Sequence, residues 1–206
     1  LRLIATSEVK LSCVVDSKLG KKAVKVISEL FELNEKQIQI NPTINNNAEP
    51  EVRGVALDIN QSQFSVRKVP DQPGCAAAIC SVLADRGVSL DTIVQSERKH
   101  IDGSKDISFT LKKDDRKEAK QALNKLISNW PGSTIQEGKS IARVSAVGAG
   151  MACTAGTAAR MFRALAEKGV NIEMIATSEI RTTCIVSEID GIKALRAVHD
   201  HFKLGN

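Results

Sequence analysis

The turn Asp71-Gln72-Pro73-Gly74-Cys75-Ala76 is the part of this sequence best suited to binding chemistry. It precedes an apolar stripe at helical spacing, formed by Ala76, Ile79, Cys80 and Leu83, so it opens a helix. Asp is a favoured cap, and Pro suits a first turn that needs no N–H. Gly74 permits close backbone approach. The amides of Gly74, Cys75 and Ala76 then sit at the positive end of a helix dipole, where a carboxylate is held well. Asp71 has two readings, a plain cap or a charged partner for a ligand. A second loop, residues 151–157 (Met-Ala-Cys-Thr-Ala-Gly-Thr), precedes another apolar-periodic stretch and carries no Asp.

Other reactive groups point to no catalysis. Cys153 lies near a helix start, which favours a thiolate, but no His is close in sequence. Cys75 and Cys80 fall within a helix and read as packing residues. His199 and His201, two apart on a helix, diverge by about 200° and suit a solvated face better than a shared metal. Gly148-Ala149-Gly150 lacks the third glycine of a dinucleotide loop, and no Walker-type phosphate loop is present. The run Lys112-Lys113-Asp114-Asp115-Arg116-Lys117 reads as a solvated helix start, and Trp130 as a packed residue at a helix end.

Composition narrows the class. The 206 residues are 42% hydrophobic and 26% charged, enough for a globular core. Net charge is +5, from 29 basic and 24 acidic residues that are interspersed, so nucleic acid is not indicated. Aromatics make up 3% with no Tyr, which argues against a base-stacking platform. Cys13, Cys75, Cys80, Cys153 and Cys184 are odd in number with no CxxC pair, which favours a reducing, cytoplasmic setting over a disulfide framework. No signal peptide is visible, and no apolar run approaches the roughly 18 residues that span a bilayer.

Behind the two loops stands an internal repeat. Shifted by 82 positions, residues 74–97 match 156–179 at 10 of 24 positions, from Gly74/Gly156 through Gly87/Gly169 to Ser96/Ser178 and Glu97/Glu179. Shifted by 171, Ile4-Ala5-Thr6-Ser7-Glu8 matches Ile175-Ala176-Thr177-Ser178-Glu179, and Cys13 meets Cys184. The unit therefore occurs three times, and the first copy lacks its front half, the expected mark of a piece trimmed from a longer protein.

Each unit predicts strand, helix, strand, strand, helix. In the middle copy these are Ser65–Val69, the helix after residue 74, Leu90–Gln95, Asp106–Leu111 and a helix carrying Ala119, Ala122, Leu123 and Leu126; Gly87 ends the first helix. The last copy repeats them at 142–147, 156–168, 171–178, 182–187 and 191–202. With one more strand this is an α+β, ferredoxin-like βαββαβ module with an antiparallel sheet. The middle module, 64–139, finds its last strand near Ser133–Gln136. The last copy has no such strand after its helix, so Gly54–Asp58 is the expected donor. The second module then comprises 53–63 and 140–206 with the first inserted in it; 1–33 is a remnant of a preceding module, and 34–52 is a turn-rich linker.

The segments VRGVALD (52–58), VPDQPGCAAAI (69–79), VSLDTIVQSE (88–97), GAGMACTAGTAARMFRAL (148–165) and NIEMIATSEI (171–180) resemble the paired ACT modules at the C-terminus of aspartate kinases, in the subfamily with two tandem pairs. That resemblance implies modules that bind threonine or lysine at their interfaces and lower kinase activity, pairing as a homodimer. Nothing here resembles the kinase domain, so catalysis, ATP and magnesium are expected only in a missing part of the parent chain, and no cofactor in this one.

By resemblance the effector site maps onto Asp71, Gly74, Cys75, Ala76 and Gln95, with Asn171 and Ile172 from the facing module. Asp71 pairs with a ligand ammonium or hydroxyl, and Gln95 adds a hydrogen bond. A possible second effector site gathers Met151, Thr154, Gly156, Thr157, Ser89, Leu90, Asp91, Glu173, Ser178 and Glu179; the alternatives are a loop that only completes the first site, or a silent one. Two rivals stand beside this reading: an ACT sensor of another amino-acid enzyme, and a ferredoxin-like RNA-binding module, for which the strands offer only the scattered Phe64 and Phe109.

Overall fold

The computed structural model describes residues 3–7, 10–34, 51–95, 100–152 and 154–205. Glu8, Ser96, Glu97, Cys153 and most of the linker, 35–50, lie outside them. The strands are β1 (Leu3–Ser7), β2 (Lys10–Val14), β3 (Gly54–Val69), β4 (Ile93–Gln95), β5 (Lys105–Lys112), β6 (Thr134–Val147), β7 (Met174–Thr177) and β8 (Arg181–Ser187). The helices are α1 (Gly20–Leu30), α2 (Cys75–Ala84), α3 (Arg116–Ile127), α4 (Thr157–Glu167) and α5 (Gly191–His201). The strands form one antiparallel sheet in the order β2-β1-β4-β5-β3-β6-β8-β7.

Two long strands shared between modules differ from the sequence expectation. Gly54–Asp58 and Ser65–Val69 are the two ends of the single strand β3, and the strands expected near 133–136 and 142–147 are the two ends of β6. Residues 59–64 hold Asn60 and Ser62 but neither Gly nor Pro, and the chain runs on extended, with the Asn60 amide donating to Asp58 Oδ1 at 2.9 Å. Register shifts at Asp58/Gln61 and Ser62/Phe64 mark the crossing from one module to the next. Gly138 lies at that crossing, where a Cβ would come 2.9 Å from the Cβ of Gln63. The far end of β3 pairs with β5 and with the start of β6; its near end, Gly54–Asp58, pairs with Arg143–Val147. Both modules thereby acquire the ferredoxin-like sheet, with the first inserted in the second.

Each module has its own core. Phe64, Val66, Ile107, Phe109 and Leu111 face Ile79 and Leu83 of α2 and Leu123 of α3. Ala142, Val144, Cys184 and Val186 face Met161 and Leu165 of α4 and Val198 of α5. Phe64 and Phe109 are fully buried and stacked with centroids 6.3 Å apart, so neither ring offers a surface to a base. Trp130 is partly buried against the first core. Cys80, expected in the apolar stripe, is exposed: Ile79 and Leu83 take the inward positions and Val82 completes the contact. The unit 1–33 joins through β1, which pairs with β2 and, at Ala5↔Val94, with β4. Val24, Ile27, Leu30 and Phe31 of its helix stripe are exposed. Among the described residues no helix is long and apolar enough to cross a membrane.

Candidate functional site

The end of β3 delivers the chain at Val69 to the turn 70–74, and α2 begins only at Cys75. Its cap is Gly74, at φ 96°, with no side-chain cap bond. Asp71 is therefore not the helix cap. A left-handed residue at this φ suits only glycine, and it turns the chain so that Asp71 lies beside the helix start. Among the described residues the Ala76 and Ala77 amides make no backbone–backbone hydrogen bond, as the first turn of a helix requires.

A cavity of about 120 Å³ opens beside this turn, lined among others by Asp71, Gly74, Cys75, Ala76 and Gln95. One water needs roughly 10–15 Å³ in this measure, so there is room for a small metabolite. The five residues expected on the first module are thus brought together. Gln95 is 8% exposed, and its Oε1 is buried without a hydrogen-bond partner among the described residues. A buried carbonyl oxygen left unmade costs about 1–3 kcal/mol, so this position calls for a donor.

Sequence reasoning missed Lys105, which also lines the cavity. Its side chain is 7% exposed, and its Nζ lies 3.3 Å from Asp71 Oδ1. The signal was present: Lys105, Ile107, Phe109 and Leu111 alternate along β5, and all four are buried, so the lysine occupies a core-facing register. Next to it, Asp106 faces the other way. Burial works to raise its carboxyl, but hydrogen bonds from His100, the Lys68 amide and Arg67 outweigh burial and hold it below the ordinary carboxylate range.

The remaining candidates lie elsewhere. Asn171 is exposed and Ile172 packs on the second core, both just before β7, at the end of the strand order away from β2; neither lines the Asp71 cavity. In the second loop Gly156 repeats the geometry of Gly74, again at φ 96°. Its hydroxyls are engaged locally: Thr154 donates to the Gly150 carbonyl at 2.9 Å and Thr157 to that of Thr154 at 3.1 Å. Met151 packs on the second core, Glu173 and Glu179 are exposed, and the Ser178 hydroxyl is buried without a partner among the described residues. Of Ser89, Leu90 and Asp91, all in the loop ahead of β4, Leu90 packs on the first core and Asp91 pairs with Arg143 at 3.7 Å. The described residues contain no His, Cys, Asp and Glu cluster able to hold a metal.

Known proteins match this arrangement. The ACT domain family matches residues 64–128, and a second ACT domain family matches 144–202. An aspartokinase from Thermus thermophilus is 44% identical over 153 residues, 74% of this chain and 38% of that protein. The crystal structure of the regulatory subunit of aspartate kinase from Thermus thermophilus is 42% identical; the match covers 74% of this chain and 99% of the subunit, with a TM-score of 0.68. This chain belongs to the regulatory ACT region of the aspartate kinases. A crystal structure of aspartate kinase from Synechocystis matches 98% of it at 42% identity and a TM-score of 0.90, over 34% of that enzyme. The chain spans little more than a third of the aspartokinases it matches.

Proposed function

We propose that this region is the amino-acid sensor of an aspartate kinase. An α-amino acid, threonine or lysine, binds in the cleft at residues 69–76 and lowers the activity of a kinase domain elsewhere on the parent chain. That is feedback inhibition of the first step of aspartate-family amino-acid biosynthesis, in the cytoplasm. The unit 1–33 is the tail of a preceding ACT module, and ACT modules pair between two copies of the protein, which is how Asn171 and Ile172 of one copy reach a cleft of the other.

The observation that carries this reading is the unpartnered Oε1 of Gln95 beside an open helix N-terminus. The ligand carboxylate takes the first-turn amides of α2, and its ammonium takes Gln95 Oε1 and Asp71. Binding alters the kinase only through a difference in affinity between two arrangements, typically about 1–3 kcal/mol. In the second loop the threonine hydroxyls are already satisfied, which makes the first cleft the stronger site.

The test is isothermal titration calorimetry with threonine and with lysine on wild type and Gln95→Leu. Because the Oε1 has no partner to lose among the described residues, Gln95→Leu keeps its thermal midpoint. The same variant binds the amino acid at least about tenfold more weakly. Unchanged affinity in Gln95→Leu removes the cleft from the sensor.

A further inference from the structure

We propose that Lys105 sets the specificity of this cleft, admitting amino acids with neutral side chains and turning away lysine and arginine. The inference rests on the cleft being the amino-acid site argued above. Among the described residues lining it, Asp71 is the one carboxylate and Lys105 the one cation. Their 3.3 Å contact, with Lys105 almost wholly shielded from water, sets one charge against the other among the described lining residues.

A zwitterionic amino acid keeps that balance. Its carboxylate lies between the α2 amides and the Lys105 ammonium, and its ammonium lies against Asp71 and Gln95 Oε1. A cationic side chain brings a second positive charge beside Lys105 with no second carboxylate among the described lining residues to meet it, and like charges in a poorly solvated site repel strongly. Rejection by an unpaired charge is an efficient route to specificity. The second module lacks this device. Counting along the paired hairpins, Ile93↔Phe109 in the first module answers Ile175↔Cys184 in the second, so the position of Lys105 there is Ile180. The second loop carries no Asp either, so neither partner of the charge pair recurs there.

The test uses homoserine and 2,4-diaminobutyrate, a pair of equal size in which a terminal hydroxyl is replaced by an ammonium. Calorimetry on the whole chain compares both at neutral pH in wild type, Lys105→Gln and Lys105→Arg. In wild type, homoserine binds at least about tenfold tighter than diaminobutyrate. In Lys105→Gln the gap narrows to about threefold or less, and in Lys105→Arg it persists. Equal affinities in wild type overturn the proposal, as does an undiminished gap in folded Lys105→Gln. Should that variant not fold, Lys105→Met carries the same comparison. If wild type binds neither homoserine nor threonine, the amino-acid reading itself fails and this inference falls with it. If threonine binds and the pair is not discriminated, only the role of Lys105 is lost.

Discussion

Replacing Asp71 with Ala takes a carboxylate away from a buried ammonium, and the consequence can be worked from the geometry. Unit charges 3.3 Å apart attract by about 5 kcal/mol at the effective dielectric of 20 that suits protein sites. The Asp71 side chain is 26% exposed, so water screens part of this attraction, and water reaches Lys105 more easily once the carboxylate is gone. Removing one partner of a fully buried pair costs about 3–5 kcal/mol; the half-open setting here brings the expected loss to about 2 kcal/mol. With a urea dependence of about 1–3 kcal/mol/M, the midpoint of the first module falls by about 1 M. The double variant Asp71→Ala, Lys105→Met removes the buried charge as well and keeps an unbranched apolar stem, so it recovers most of that loss. Urea unfolding followed by circular dichroism on the four members of the cycle measures this directly. If the double variant is as destabilised as Asp71→Ala alone, the buried ammonium is not the cause, and the 3.3 Å pair does not stabilise the first module.

Two further outcomes follow from the electrostatics. The depressed carboxyl of Asp106 contributes stability that is present above the ordinary carboxylate pKa of 3.8 and is lost as the pH falls below it. Thermal midpoints measured from pH 6 down to pH 3 should therefore drop more steeply in wild type than in Asp106→Asn; parallel profiles would show that the His100 and Arg67 contacts contribute nothing. Burial in the second core pushes the Cys184 thiol up to about 12, so iodoacetamide at pH 8 should leave it unmodified in the native protein and alkylate it in urea. Native labelling at Cys184, read by peptide mass, would show that β8 opens easily.

How much of this molecule was legible without coordinates follows from its chemistry. Helix stripes, glycine stops and the 82-residue repeat are local signals, and they suffice for two ferredoxin-like ACT modules, one inserted in the other. The turn at 71–76 was legible too, because helix openings are written in short runs of Asp, Pro and Gly. The continuity of β3 and β6 was not: whether a chain bends or bulges at residues 59–64 depends on partner strands pairing at Asp58 and again at Gln61. Between the two readings of Asp71, plain cap or charged partner, the sequence could not choose, for the same reason. Its type and position suggest a cap, but its partner, Lys105, lies 34 residues away on a strand that only the folded sheet brings to 3.3 Å. Periodicity sets which face a residue takes, a property of neighbours along the chain. Which charge meets which is set by packing between distant segments, and that belongs to the tertiary structure alone.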